Sequence, residues 1–149
     1  LVFLSFIWGS FVNGKILMWY LFLATWGSDI FAFLIGSRFG KHKFSKISPK
    51  KSIEGCIAGT LSGVILVVVA AVIFNVAFDL QVNYLIITII ALVITILGQI
   101  GDFSASCIKR YMEVKDFSIL LPGHGGIIDR FDSVIFAAPF AYYLITLLI

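Results

Sequence analysis

The sequence contains few charged residues and very little cysteine. Of its 149 residues only 13% are Asp, Glu, Lys or Arg, whereas 60% are hydrophobic, and cysteine occurs twice. A soluble domain does not need this much apolar surface, so the composition predicts an all-α, polytopic bundle of transmembrane helices. Cys56 and Cys107 lie in or beside predicted spans without the spacing of a metal site, and we expect both to be small buried side chains.

No basic segment or small-residue cleavage site precedes the first apolar run, which argues against a signal peptide. The sequence begins with Leu1 instead of Met, inside that run. We therefore expect residues 1–149 to form a single membrane-embedded domain that lacks the N-terminal spans of a longer protein.

The long apolar runs predict about four complete spans, at 16–37, 54–78, 84–101 and 127–149. Each is near the ~20 residues that cross the hydrocarbon core of a bilayer. Residues 1–12 are expected to be the end of a partial first span. Within the second span, Gly59 and Gly63 have the spacing that lets two helices approach closely, and we expect them to serve packing.

Positive charge is concentrated in two of the connections. Ten of the eleven basic residues lie in 38–51 or 102–130, and the connections near Asn13 and Asn83 contain almost none. Because cytoplasmic loops are enriched in Lys and Arg, both basic regions are predicted to face the cytoplasm. The net charge of +3 therefore reflects membrane orientation and does not indicate a nucleic-acid partner.

Two short polar, glycine-containing blocks interrupt the apolar sequence, GQIGDFSASCIKR from Gly98 and PGHGGIIDRFD from Pro122. If the first block is helical, its polar side chains fall on one stripe, and the apolar ones point elsewhere. The stripe contains Gln99, Asp102, Ser106, Lys109, Arg110 and Glu113. Since ionised groups facing lipid are costly, the stripe predicts a helix that borders a water-filled cavity.

The second block places Asp129 and Asp132 three residues apart, on one helix face with Ser133 beside them. Carboxylates at two facing helix ends are typical of a Mg²⁺ site that also uses substrate phosphates. His124 lies in a glycine-rich turn before the last helix, where the backbone can approach a ligand. The His124 side chain could act as a base, donate a hydrogen bond to a phosphate, or hold the loop in place. We favour the hydrogen bond to phosphate.

Asp29 lies well inside the first complete span. A carboxylate at such a position is usually functional. The alternative is a hydrogen bond to Ser or Thr of a neighbouring helix.

The segment before the second span contains Ser48, Pro49, Lys50 and Lys51. Ser48 is expected to cap a helix and Pro49 to occupy its first turn, so that free backbone N–H groups and lysine charge would attract phosphate. The alternative is that these lysines only orient the membrane spans.

At these residues the sequence resembles the phosphatidate cytidylyltransferases, also called CDP-diacylglycerol synthases. The resemblance rests on three motifs with many specified positions, two of which contain a departure: Phe33 where Tyr is expected, and Ser52 where the family has Thr. The motifs are Asp29-x-x-Ala32-Phe33 with Gly36, Gly40 and Lys41; Ser48-Pro49-Lys50-Lys51-Ser52-x-Glu54-Gly55; and Ser106-Cys107-Ile108-Lys109-Arg110, Lys115-Asp116, then Pro122 to Asp132.

The resemblance implies transfer of CMP from CTP to phosphatidic acid in phospholipid biosynthesis, giving CDP-diacylglycerol and pyrophosphate. It implies a catalytic domain in the cell membrane of a bacterium, open to the cytoplasm and in contact with membrane lipids. Mg²⁺ is the expected cofactor, and the need for a second cation is left open. A homodimer is also implied.

We assign the site residues as follows. Asp102 and Asp129 are expected to bind the metal, with Asp132 as a third ligand or as a carboxylate beside them. The expected catalytic residues are these three and Lys109. The expected substrate contacts are Ser48, Lys50, Lys51, Asp29, Ser106, Arg110, His124 and Arg130.

Two other functions fit parts of the pattern. A related CTP-dependent lipid enzyme, such as a CDP-archaeol synthase or a dolichol kinase, would share the chemistry, but the full signature makes it a weaker match. An ion-coupled transporter would account for Asp29, Asp102 and the glycine-interrupted spans. It does not readily account for Lys109 and Arg110 in tandem or for the dense charge near them.

Overall fold

The computed structural model describes residues 13–42, 51–78, 83–112 and 128–148. These residues form four α-helices, which confirms the predicted all-α architecture. The helices are α1 (Asn13–Phe39), α2 (Ile53–Phe78), α3 (Tyr84–Tyr111) and α4 (Ile128–Leu148). Each predicted complete span corresponds to one of them, and the predicted partial span at 1–12 lies outside the described residues.

Three of the helices are long and apolar enough to cross a membrane: α1 from Ile16, α2 and α3. The apolar part of α4 within the described residues, Phe131–Leu144, is shorter. The 28 residues of α3 extend over about 42 Å, which exceeds the ~30 Å hydrocarbon core. The polar block that begins at Gly98 is therefore a direct continuation of the third span, as the helical stripe predicted.

Small residues bring α1 and α2 into close contact. A Cβ atom added at Gly59 would lie 2.6 Å from the Ser28 carbonyl oxygen and 2.7 Å from the Ala32 Cβ. At Gly63 it would lie 2.9 Å from the Ala24 carbonyl oxygen. These distances are too short for real contacts, so the packing role predicted for Gly59 and Gly63 is confirmed.

Helix α3 approaches its neighbours through glycines as well. A Cβ at Gly98 would lie 3.1 Å from Thr25 on α1, and one at Gly101 would lie 2.5 Å from Phe136 on α4. Helix α1 therefore contacts all three other helices, and the buried core takes one side chain or more from each. Four of its most buried members are Leu21, Val67, Ala91 and Val134.

The outer surface of the bundle is apolar. Helix α2 exposes a row of large aliphatic side chains that includes Ile57, Leu61 and Ile65. A helix that is hydrophobic on every side and exposed in this way is typical of a membrane span that contacts lipid. A groove of about 570 Å³ on the outer face of α1, between Trp19, Trp26 and Leu66, is lined by apolar and aromatic residues without a charged group.

The start of α2 corrects the prediction for Ser48. The helix begins at Ile53, and the Ser52 hydroxyl accepts a 3.1 Å hydrogen bond from the Gly55 N–H. Ser52, which is buried, is thus the N-cap, and the expectation that Ser48 caps the helix is wrong. Ser48 itself lies outside the described residues. The observed cap, Ser52, packs against the end of α1 near Gly36 and Gly40.

We expect Gly59→Ala to destabilise the protein by roughly 1–3 kcal/mol, the usual cost of an overpacked contact, because the new methyl group would meet the α1 backbone. Leu61→Ala, on the lipid-facing side of the same helix, is the matched control and should have a small effect. The measurement is the midpoint of thermal unfolding in detergent micelles. Equal midpoints for Gly59→Ala and the unaltered protein would contradict the close packing of α1 and α2.

Candidate active site

A polar pocket of about 230 Å³ lies where α1, the start of α2 and the polar part of α3 meet. It combines charged, hydroxyl, amide and thiol groups with a larger apolar wall. Its lining residues are Asp29, Ala32, Phe33, Lys51, Ser52, Gly55, Cys56, Gln99, Asp102 and Ser106. The pocket unites residues from three of the segments that the sequence marked separately.

An ion pair between Lys51 and Asp102 lies in this pocket. Lys51 immediately precedes the N-cap of α2, and Asp102 is on the polar stripe of α3, so the pair joins two segments far apart in sequence. The side chains are 25% and 27% exposed, respectively. Both are therefore held within the pocket yet remain accessible to a ligand from solution.

Asp29 has both of the environments considered for it. Its carboxylate lines the pocket, and its Oδ2 accepts a 3.2 Å hydrogen bond from the Ser133 hydroxyl on α4. The backbone N–H of Ser133 donates to Oδ1 of its neighbour Asp132 at 2.7 Å. Ser133 is almost completely buried, so it fixes the two carboxylates relative to each other.

Gln99 forms the polar base of the pocket and was not among the predicted site residues. Its Nε2 lies 2.9 Å from the Ser28 hydroxyl on α1. On α2 it lies 3.0 Å from the Cys56 carbonyl oxygen and 3.2 Å from the Thr60 hydroxyl. One amide thus links three helices, one turn before Asp102. Its place on the predicted polar stripe, with Asp102 and Ser106, was the available signal.

The other residues of the predicted α3 stripe do not all line the pocket. Ser106 lines the pocket with Gln99 and Asp102, as predicted. Lys109 is partly buried, and its charge acts on Asp132. Arg110 is exposed and is not among the pocket-lining residues.

The remaining predicted site residues lie wholly or partly outside the described part of the chain. Ser48, Lys50 and His124 belong to undescribed segments. Asp129 and Arg130 lie in the first turn of α4, but their side chains are not described. The roles assigned to these five residues stay predictions.

His42 and Glu54 join the two ends of the connection between α1 and α2. His42 follows α1, and Glu54 lies in the first turn of α2. The His42 Nδ1 lies 2.7 Å from Glu54 Oε1, and the His42 backbone N–H donates to the same carboxylate at 3.2 Å. The Ile53 N–H donates to the His42 carbonyl oxygen at 3.0 Å. This clasp, defined as His42 with Ile53 and Glu54, fixes the backbone just after Lys51.

These hydrogen bonds correct the predicted role of the α2 N-terminus. The N–H groups of Ile53, Gly55 and Cys56 already donate to His42, to the Ser52 hydroxyl and to the Ser52 carbonyl. The Glu54 carboxylate adds negative charge at the same point. The expectation that free backbone N–H groups bind phosphate here is therefore wrong for these three residues, and lysine charge is left as the attraction.

The donor groups fit a hard cation that is shared with a phosphate ligand. Asp29, Asp102 and Asp132 interact electrostatically with one another, and carboxylate oxygens are ligands that Mg²⁺ prefers. Among the described side chains, no three of His, Cys, Asp or Glu lie close enough to form a metal cage. Mg²⁺ commonly uses one or two carboxylates together with substrate phosphates, so this donor set is sufficient for such a site.

Comparison with known proteins agrees with the geometry. Residues 1–148 match the profile of the Cytidylyltransferase family. The chain is 40% identical over 135 residues to a phosphatidate cytidylyltransferase of Bacillus subtilis (strain 168), covering 90% of this chain and 49% of the relative. It is also 40% identical over 142 residues to the Synechocystis sp. phosphatidate cytidylyltransferase, covering 94% and 46%.

A third relative, the Staphylococcus haemolyticus phosphatidate cytidylyltransferase, is 38% identical over 121 residues, covering 80% of this chain and 45% of the relative. The chain thus spans about half the length of the curated relatives it matches. Since the profile matches almost all of its residues, this membrane protein belongs to the cytidylyltransferase family.

Proposed function

We propose that the protein is a phosphatidate cytidylyltransferase, which converts CTP and phosphatidic acid to CDP-diacylglycerol and pyrophosphate. The observation that carries this proposal is the pocket in which Lys51 pairs with Asp102, with Asp29 on the same wall, beside membrane-length helices. Such a pocket offers both charge for a triphosphate and proximity to a lipid substrate. Family membership favours this enzyme over an ion-coupled transporter.

In the proposed reaction an ionised oxygen of the lipid phosphate attacks the α-phosphorus of CTP. A new P–O bond forms, the bond between the α-phosphorus and the bridging oxygen breaks, and pyrophosphate leaves with that oxygen. Since the attacking oxygen is already ionised, the protein needs little base catalysis. Its contribution is to position two anionic substrates and to stabilise their charge.

The described side chains have distinct parts in this proposal. Lys51 binds substrate phosphate, and Lys109 adds positive charge near Asp132. Asp102 and Asp132, with Asp129, would hold Mg²⁺, which when bound offsets the negative charge of the phosphates. Ser106 lies on the pocket wall, where its hydroxyl can donate to a phosphate oxygen. The homodimer remains a prediction from the family resemblance, which leaves the need for a second cation open.

We also propose that the pocket opens toward the cytoplasm. The contact between Lys51 and Asp102 brings the end of the α1–α2 connection and the polar part of α3 to one end of the bundle. This supports the proposal that both regions lie on the same side of the membrane. The concentration of Lys and Arg in these segments favours the cytoplasmic side.

Asp102→Asn should reduce CTP-dependent pyrophosphate release at least a hundredfold, because losing a group that stabilises transition-state charge costs about 3 kcal/mol or more. Ser104→Ala is the control, since within the described residues the Ser104 hydroxyl donates to the Ile100 carbonyl of its own helix and does not line the pocket. The assay uses membranes supplied with phosphatidic acid and saturating Mg²⁺. Wild-type turnover by Asp102→Asn would exclude Asp102 from the reaction.

Glu54→Gln should raise the KM for CTP with little change in kcat, because the clasp positions the backbone beside Lys51 but does not touch reacting atoms. His42→Ala should act in the same direction. If the two residues act as one unit, the double variant should be no worse than the poorer single variant. Additive effects, or a loss confined to kcat, would contradict a positioning role.

Membrane orientation can be tested with single cysteines after replacement of Cys56 and Cys107 by Ser. His42→Cys and Met112→Cys, both at exposed positions, should react with an impermeant maleimide only in inverted vesicles. Phe78→Cys, at the opposite end of α2, should react only in right-side-out vesicles. Labelling of positions 42 and 112 from opposite sides would refute the shared-side topology.

A further inference from the structure

The cation that meets Asp102 in this structure is a side chain of the protein. Lys51 pairs with one oxygen of the same carboxylate that the proposed function assigns to the metal. A divalent ion bound to Asp102 would lie close to the lysine ammonium, and like charges at that separation repel each other. Simultaneous occupation of Asp102 by both cations is therefore unfavourable.

The influence of Lys51 extends beyond this one pair. Its charge also acts on Asp29 and Asp132, and both of these carboxylates in turn interact with Asp102. Lys51 is thus a common counter-ion for three carboxylates, from α1, α3 and α4. Removing its charge without replacement would leave the repulsion among these carboxylates without this compensating attraction.

We propose that Lys51 is the resting counter-ion of Asp102 and moves from this carboxylate to a substrate phosphate when a divalent cation binds. This inference rests on the proposed function and specifies how metal and nucleotide binding depend on each other. Asp102 and its neighbouring carboxylates would hold the metal, and the released Lys51 ammonium would meet the negative charge of the triphosphate. Each charge then retains a partner in both states.

The local structure suits such a movement of one side chain. The backbone after Lys51 is fixed by the Ser52 cap and by the clasp, so the starting point of the side chain is constant. The lysine side chain itself is a flexible four-carbon stem with a compact charge, and it is about a quarter exposed. It can therefore change partners without rearrangement of the helices.

Two consequences of opposite sign follow for a neutral residue at position 51. The metal alone should bind more tightly, because it no longer competes with an ammonium group. The nucleotide alone should bind more weakly, because the phosphate loses a cationic partner. A side chain that only stabilised the fold would not produce this pair of effects.

The test measures Mn²⁺ binding to the purified protein in detergent without nucleotide, from the electron paramagnetic resonance signal of free Mn²⁺. In Lys51→Gln the Kd for Mn²⁺ should fall about fivefold, the scale of a partly exposed ion pair. Lys51→Arg keeps the charge and should retain the wild-type Kd. Arg38→Gln removes one exposed positive charge outside the pocket and should also leave the Kd unchanged. Lys51→Met provides the same neutral test if the glutamine variant does not fold.

A second measurement follows CTP binding by calorimetry in the presence of EDTA, where Lys51→Gln should raise the Kd several fold. Suppose that the wild type binds CTP and turns over, but the neutral variants show an unchanged or higher Kd for Mn²⁺. That result overturns the proposed movement of Lys51 from Asp102 to phosphate and leaves the proposed function intact. A wild-type protein that neither binds CTP nor releases pyrophosphate overturns both.

Discussion

The contact between α1 and α2 through small residues is the constraint on which the rest of the structure depends. Gly55, Gly59 and Gly63 form one face of α2, and the α1 backbone from Ala24 to Gly36 lies directly against it. Since lipid is as apolar as the outer side chains, such helices gain little from hydrophobic burial and are held by close packing and hydrogen bonds. Any larger side chain on this face would separate the two helices and widen the pocket at their end.

That close approach also determines the polar interactions of the site. Because α1 and α2 are near each other, Gln99 of α3 can reach Ser28 on the first and the Cys56 carbonyl on the second. The separate contact between α1 and α4 places Asp29 beside Ser133. A partly buried amide and a buried hydroxyl are costly without partners, so each of these bonds favours the observed arrangement over a looser one.

The pocket is lined by two carboxylates, Asp29 and Asp102, and by one lysine, Lys51. Asp132 interacts electrostatically with both carboxylates, and Lys51 and Lys109 offset part of the negative charge. A metal and a triphosphate bring large charges of opposite sign, and a site with movable lysine side chains can accommodate both. This electrostatic balance connects the membrane scaffold to the proposed chemistry, in which positioning and charge stabilisation supply the catalysis.

The sequence alone determined the membrane class, the positions of the four helices, the packing glycines and the part of the α3 stripe formed by Gln99, Asp102 and Ser106, because each depends on local composition or on helical periodicity. It also marked Asp29, Lys51 and Asp102 as polar residues in costly places. Tertiary structure decided their partners, the use of Ser52 in place of Ser48 as the cap, and the role of Gln99. These pairings join residues dozens of positions apart, and only the packing of the helices sets which of many polar groups come within hydrogen-bonding distance.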